Sequence, residues 1–200
     1  MKIKNSLTTN LIVVIAGFFI IATYAPTITW GGLGLQDHLL LINKAIFSDS
    51  QIHGVFAGEW YRVLTVVLTH ASWLHMGSNM LVLFQLGNLV EHFYGRTRYA
   101  LILTLSAVAA SFTSLWLDPV NQPSVGASGM IFGLFGVMLI SGNKMGVDYR
   151  QVMGLLALNI VFSFVPGVDW HAHAGGFVGG LLVAAILQLF PRRRRVHYGE

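Results

Sequence analysis

The chain has 200 residues, of which 10% are Asp, Glu, Lys or Arg and 54% are apolar, whereas soluble domains carry roughly 25% charged residues. That deficit excludes an ordinary soluble globular protein, and the lack of cysteine excludes a disulfide framework, a thiol nucleophile and a Cys-based zinc site. The formal charge of +4 does not point to nucleic acid, because four of the twelve basic residues, Arg192, Arg193, Arg194 and Arg195, form one terminal run behind an apolar stretch, where a membrane surface explains them better.

Lys2 and Lys4 precede an apolar run at 11–24 in the order of a signal peptide, but no small-x-small cleavage site follows and five more apolar segments do. The run is therefore read as a first span, extended to about residue 30. The next segment, 31–70, is too long for a turn and too apolar for a solvated loop. His38, Lys44 and Glu59 interrupt it, so it is read as an amphipathic element in or on the outer leaflet rather than a seventh span. The remaining spans fall at about 73–94, 99–117, 125–142, 151–165 and 170–190. The fourth and fifth are short or Gly-rich and are expected to be shielded by neighbouring helices. The expected fold is thus an all-α polytopic membrane protein, a six-helix bundle over 11–190 with a membrane-associated first loop. A cytoplasmic N-terminus, 1–10, and a basic cytoplasmic tail, 191–200, flank it.

Orientation follows from Lys and Arg counted loop by loop. With six spans, ten of the twelve basic residues lie on the side of the termini, and only Lys44 and Arg62 fall on the other. Both termini are therefore expected in the cytoplasm.

Polar side chains inside spans are costly, so each is a candidate for function. His75 and Asn79, spaced i, i+4, share one face of the second span. Ser128 stands in Gly126-Ala127-Ser128-Gly129 at the start of the fourth, and His171 and His173 open the sixth. Spans two, four and six all start at the outer face, so these residues share roughly one depth in the outer leaflet. A serine and a histidine at one depth supply acyl-transfer chemistry, with Ser128 as nucleophile and His173 as general base. His75, Asn79 and the Ser128 backbone N–H would donate to the oxyanion. Asp169 lies just outside the sixth span, so a dyad is expected rather than a triad. Ala172, Gly176 and Gly180 form a small-residue stripe, matched by Gly129 and Gly133, along which spans four and six can approach closely.

These residues resemble, in order from about 60 to 180, the rhomboid intramembrane serine proteases of the minimal six-span kind. Trp60-Tyr61-Arg62 resembles the family's Trp-Arg motif, and His70-x4-His75-x3-Asn79 its second-span motif. Gly126-x-Ser128-Gly129 resembles its nucleophile motif, and Ala172-His173-x2-Gly176-x3-Gly180 its last-span motif. The resemblance implies the same four roles: Ser128 nucleophile, His173 base, His75 and Asn79 oxyanion donors. It further implies that Arg62 orders the first loop and that Glu91 bonds within the bundle near its cytoplasmic end. Where some members carry a Tyr that stacks on the catalytic histidine, this chain has Phe132, which keeps the stacking and loses the hydroxyl. The extra soluble domain or seventh span of some relatives is not expected.

The implied activity is hydrolysis of a peptide bond in or next to a transmembrane segment of another protein. The partners are then transmembrane substrates and the lipid bilayer, in the cell membrane, with no nucleic acid, cofactor or metal. His70 is read as a loop-packing residue. His171-x-His173 is a poor metal pair, because ligands two residues apart on a helix diverge, no His-Glu-x-x-His exists and Asp169 is the one carboxylate close in sequence. An inactive rhomboid-like binding module is the alternative, and both Ser128 and His173 are present against it. A transporter or proton relay would call for an inverted repeat and mid-membrane carboxylates, which the sequence lacks.

Overall fold

Six helices of 15 to 22 residues dominate the computed structural model, which describes residues 6–25, 27–119, 121–165 and 167–190. They are α1 (Leu7–Tyr24), α4 (Trp73–Tyr94), α5 (Arg96–Leu117), α6 (Ser128–Met145), α7 (Tyr149–Ser163) and α8 (Trp170–Leu189). Lys2, Lys4 and the basic run at 192–195 lie outside the described residues. Three helices, α1, α5 and α8, are long and apolar enough to cross a membrane on length and composition. The others depart for legible reasons. α4 carries His75, Asn79 and Glu91, α7 has only 15 residues, and α6 carries Asn143 and Lys144 in its last turn. Twelve of the eighteen residues of α6 are buried, so protein rather than solvent satisfies its surroundings.

The first helix differs from its sequence boundaries at both ends. It starts at Leu7 because Ser6 Oγ accepts the Thr9 N–H and Glu91 of α4 accepts the N–H groups of Leu7 (2.7 Å) and Thr8 (2.9 Å). A carboxylate at a helix N-terminus satisfies orphan donors and the helix dipole together. The helix stops at Tyr24, and the chain turns into a short hairpin, β1 (Thr29–Trp30) against β2 (Leu33–Gly34).

The segment between α1 and α4 is not one amphipathic element but several short ones. After the first hairpin come α2 (Leu35–Leu39), a second hairpin of β3 (Ala45–Ile46) with β4 (Ile52–His53), and α3 (Arg62–Thr65). The fully buried Arg62 holds them together. Its Nε donates to Glu59 (2.7 Å), and its Nη1 donates to the carbonyls of Asp37 (2.7 Å) and Leu40 (2.8 Å). Ser111 Oγ of α5 donates to the Val63 carbonyl (2.8 Å), which ties this loop to the bundle.

The centre of the bundle is α6 laid against α8, with α5 across both. A Cβ on Gly176 would overlap the Gly129 carbonyl, and one on Gly180 the Gly133 carbonyl. Only glycine permits this backbone-to-backbone approach. Gly175 and Gly179 instead make room for side chains of α5, those of Thr113 and Ala109. The outward faces bear Val13, Ile20, Phe84, Leu101, Phe112, Leu158, Val178 and Ile186, all exposed. An apolar surface of that extent belongs in lipid.

Candidate active site

Gly126 sits at φ +116° and redirects the chain into α6, so that Ser128 becomes its first residue after the Ala127 cap. The first N–H groups of a helix have no intrahelical acceptor. The Ser128 hydroxyl thus stands at the N-terminus of a helix, where backbone donors are in place. The approach to this turn is braced from the first loop: Leu41 and Ser124 exchange both backbone hydrogen bonds, and the Gly126 N–H donates to the Val66 carbonyl (3.2 Å).

His173 lies one turn into α8. Asp169 caps that helix, its Oδ1 accepting the Ala172 N–H at 2.7 Å, and its Oδ2 makes no hydrogen bond to the imidazole. Close α6–α8 packing brings His173 Nε2 to 2.7 Å from Ser128 Oγ. The ring is buried and stacks on Phe132, with centroids 4.2 Å apart and planes 9° from parallel. Its other nitrogen, Nδ1, lies 2.6 Å from the hydroxyl of Ser163 at the end of α7.

His75 and Asn79 come to the same place from α4. A Cβ on Gly126 would lie 2.8 Å from the His75 ring and 3.5 Å from Asn79 Nδ2, so both side chains lie over the turn that precedes Ser128. Asn79 Nδ2 is buried with no hydrogen-bond partner. Such a donor is costly unless something approaches it. His70 is buried outside this pair, its ring edge-on to Phe19 and 5.1 Å from the His75 ring, and its backbone N–H donates to Gln36. Burial, with His75 nearby, pushes the His70 imidazole down to about 4. Glu91 is remote, at the other end of α4, where it also accepts hydrogen bonds from the hydroxyls of Ser6 and Thr8 (2.8 Å each).

Two residues near this site have no sequence signal. Ser163 ends α7 ten residues before His173, with no pattern linking them. Asp118, just past α5, accepts a hydrogen bond from the His171 ring and another from Ser114 Oγ (3.0 Å). Asp169 is therefore not the one carboxylate near His171 in space. Asp118, Asp169 and His171 bring one ligand atom each within 4.8 Å of one another, the group among the described residues with metal-ligand spacing. Burial and the neighbouring Asp169 carboxylate raise the Asp118 pKa.

Comparison with known proteins decides the family, for residues 57–190 match the Rhomboid domain. The chain belongs to the rhomboid family. That family is one of intramembrane proteases, and this rhomboid is an integral membrane protein. It is 36% identical over 138 residues to the rhomboid protease GluP of Bacillus subtilis, a match covering 66% of this chain and 27% of that one. It is 29% identical over 182 residues to the putative rhomboid protease YdcA of the same organism, covering 88% and 90%. It is 33% identical over 144 residues to RHOMBOID-like protein 5 of Arabidopsis thaliana, covering 68% and 46%. The rhomboid chain thus spans about a quarter of GluP and most of YdcA.

Proposed function

We propose that this rhomboid is an active serine endopeptidase that cleaves a transmembrane segment of another membrane protein with Ser128 and His173. The observation that carries the reading is the 2.7 Å approach of Ser128 Oγ to His173 Nε2. In attack, Ser128 Oγ bonds to the scissile carbonyl carbon while its proton passes to His173 Nε2, and the carbonyl π electrons move to oxygen. The oxyanion accepts from the Ser128 N–H, Asn79 Nδ2 and His75. Collapse breaks the C–N bond, and the proton on His173 goes to the leaving amine. Water then hydrolyses the acyl-serine by the same path in reverse. The idle buried amide of Asn79 supports the oxyanion assignment, since a donor held ready costs no reorganisation when charge develops.

In this reading all six long helices span the bilayer, both termini are cytoplasmic and the dyad opens to the outer face of the cell membrane. Arg62 holds the first loop and Glu91 the α1–α4 junction. The substrate is a membrane protein whose helix unwinds readily at the cut, because a backbone bonded within a helix cannot enter an oxyanion hole. A fluorophosphonate probe tests the chemistry: labelling of the wild-type chain that vanishes in Ser128→Ala is expected, and equal labelling of both would remove Ser128 from the reaction.

A further inference from the structure

We propose that Ser163 is a positioning residue for His173, accepting its Nδ1–H and so holding Nε2 unprotonated toward Ser128. The inference rests on the dyad reading above and concerns which nitrogen of the imidazole carries the proton. A serine hydroxyl has one proton to give and two lone pairs to accept with. Ser163 Oγ donates to the Asn159 carbonyl one turn earlier in α7, at 2.9 Å, the usual bond of a helical serine. Its proton is thereby committed, and at 2.6 Å from His173 Nδ1 it must accept. Nδ1 then bears the hydrogen, and Nε2 presents a lone pair to the Ser128 hydroxyl at 2.7 Å.

The chain of donors runs Ser128 O–H to Nε2, Nδ1–H to Ser163 Oγ, and Ser163 O–H to the Asn159 carbonyl, with each proton used once. The opposite tautomer breaks this order: Nε2–H would point at Ser128 Oγ, the Ser128 proton would lose its acceptor on the ring, and the nucleophile could not be deprotonated. Both side chains at the Nδ1 end are buried, so water does not readily take over the acceptor's part. Asp169 does not do so either: its Oδ1 accepts from the α8 backbone, and its buried Oδ2 makes no hydrogen bond among the described residues, to the imidazole or otherwise. A hydroxyl thus fills the place that a buried carboxylate fills in a triad. When Nε2 takes the proton from Ser128, the same Ser163 oxygen holds the imidazolium by its Nδ1–H.

The test uses the full chain in detergent, with a transmembrane reporter for kcat and KM, a fluorophosphonate probe for Ser128, and ring-15N histidine NMR assigned by difference against His173→Gln. In the wild-type chain the His173 proton is expected on Nδ1. Ser163→Ala and Ser163→Cys, the second nearly isosteric but a weak acceptor, should lower kcat about 10-fold to 100-fold with KM unchanged, as loss of one bond to a developing charge predicts. Both should shift the ring proton toward Nε2, while Ser163→Thr, which keeps the hydroxyl, should retain the wild-type tautomer and most of kcat. A wild-type proton on Nε2 overturns the inference without any variant. So does wild-type kcat in both Ser163→Ala and Ser163→Cys while the probe still labels Ser128, and the dyad then stands. Absence of Ser128 labelling in the wild-type chain overturns the dyad, and the positioning role with it.

Discussion

Ser128 is a helix's first residue and loses only a hydroxyl to alanine, whereas the buried His173 ring stacks on Phe132 and leaves a cavity when truncated. Ser128→Ala and His173→Ala should each abolish reporter cleavage in a protein still folded in detergent, with the melting temperature near that of the wild type for Ser128→Ala and lowered for His173→Ala. Near-wild-type turnover in either would sink the dyad. Asn79 is a smaller loss, because the Ser128 N–H and His75 remain. Removing one oxyanion donor typically costs roughly 10²–10³ in rate, so Asn79→Ala should be slow but measurable. Full-rate cleavage by Asn79→Ala and His75→Ala alike would mean the oxyanion is held elsewhere.

At the scale of elements, two structures hold the site and each has its own test. The α6–α8 contact sets the Ser128 to His173 distance, and Gly176→Val puts a branched side chain into the Gly129 carbonyl. Overpacking typically costs about 1–3 kcal/mol, and a shift near 1 Å can cost on the order of 10²-fold in rate. Cleavage should fall further than stability does. Gly154→Val in α7 is the control, since a Cβ there meets open space; equal, near-wild-type cleavage by both would show that the stripe does not govern the dyad.

The first loop is held by charge. Burial would raise the Glu59 pKa, but hydrogen bonds from His53, the Gly54 N–H and Arg62 outweigh it and hold the carboxyl at about 2. An unfolded Glu titrates near 4.3, so this contribution is complete above about pH 4.5 and is lost as pH falls toward 2. The His53 pKa is raised, first by its hydrogen bond to Glu59 and then by that to Asp49. Its contribution is complete below the unfolded value near 6.5 and is lost as pH rises through the folded one. Resistance of the 31–70 segment to limited proteolysis should peak between the two, at about pH 5–6, and Glu59→Gln should flatten the curve. A wild-type profile already flat from pH 3 to 8 would contradict the assignment.

For the whole molecule, the exposed apolar faces and the family together put the bundle in a membrane, and its sense is tested by topology. Reporter fusions at residue 200 and near Arg96 should report cytoplasm, and one near Asp118 the outside. A cytoplasmic signal near Asp118 would put Ser128 at the inner leaflet and remove the shared-depth argument for the site.

Much of this was legible in the chain because lipid imposes a one-dimensional rule: apolar runs become helices, and polar residues inside them are conspicuous. The existence of the long helices, the Ser128, His173, His75 and Asn79 set and the Gly176/Gly180 stripe all follow from that rule. Phe132 came instead from the resemblance to the rhomboid family, and its ring does stack on His173. Ends of elements were less legible, since α1 starts at Leu7 through a cap from Glu91, 84 residues away. The 31–70 segment was misread as one element because its hairpins are short and its organiser is a buried guanidinium bonded to distant carbonyls. Ser163 beside His173, Asp118 beside His171, and Ser124 paired with Leu41 were decided by tertiary structure alone. Each is a single polar contact between elements, and a periodic pattern records which face of a helix is buried but not which hydroxyl or carboxylate meets it there.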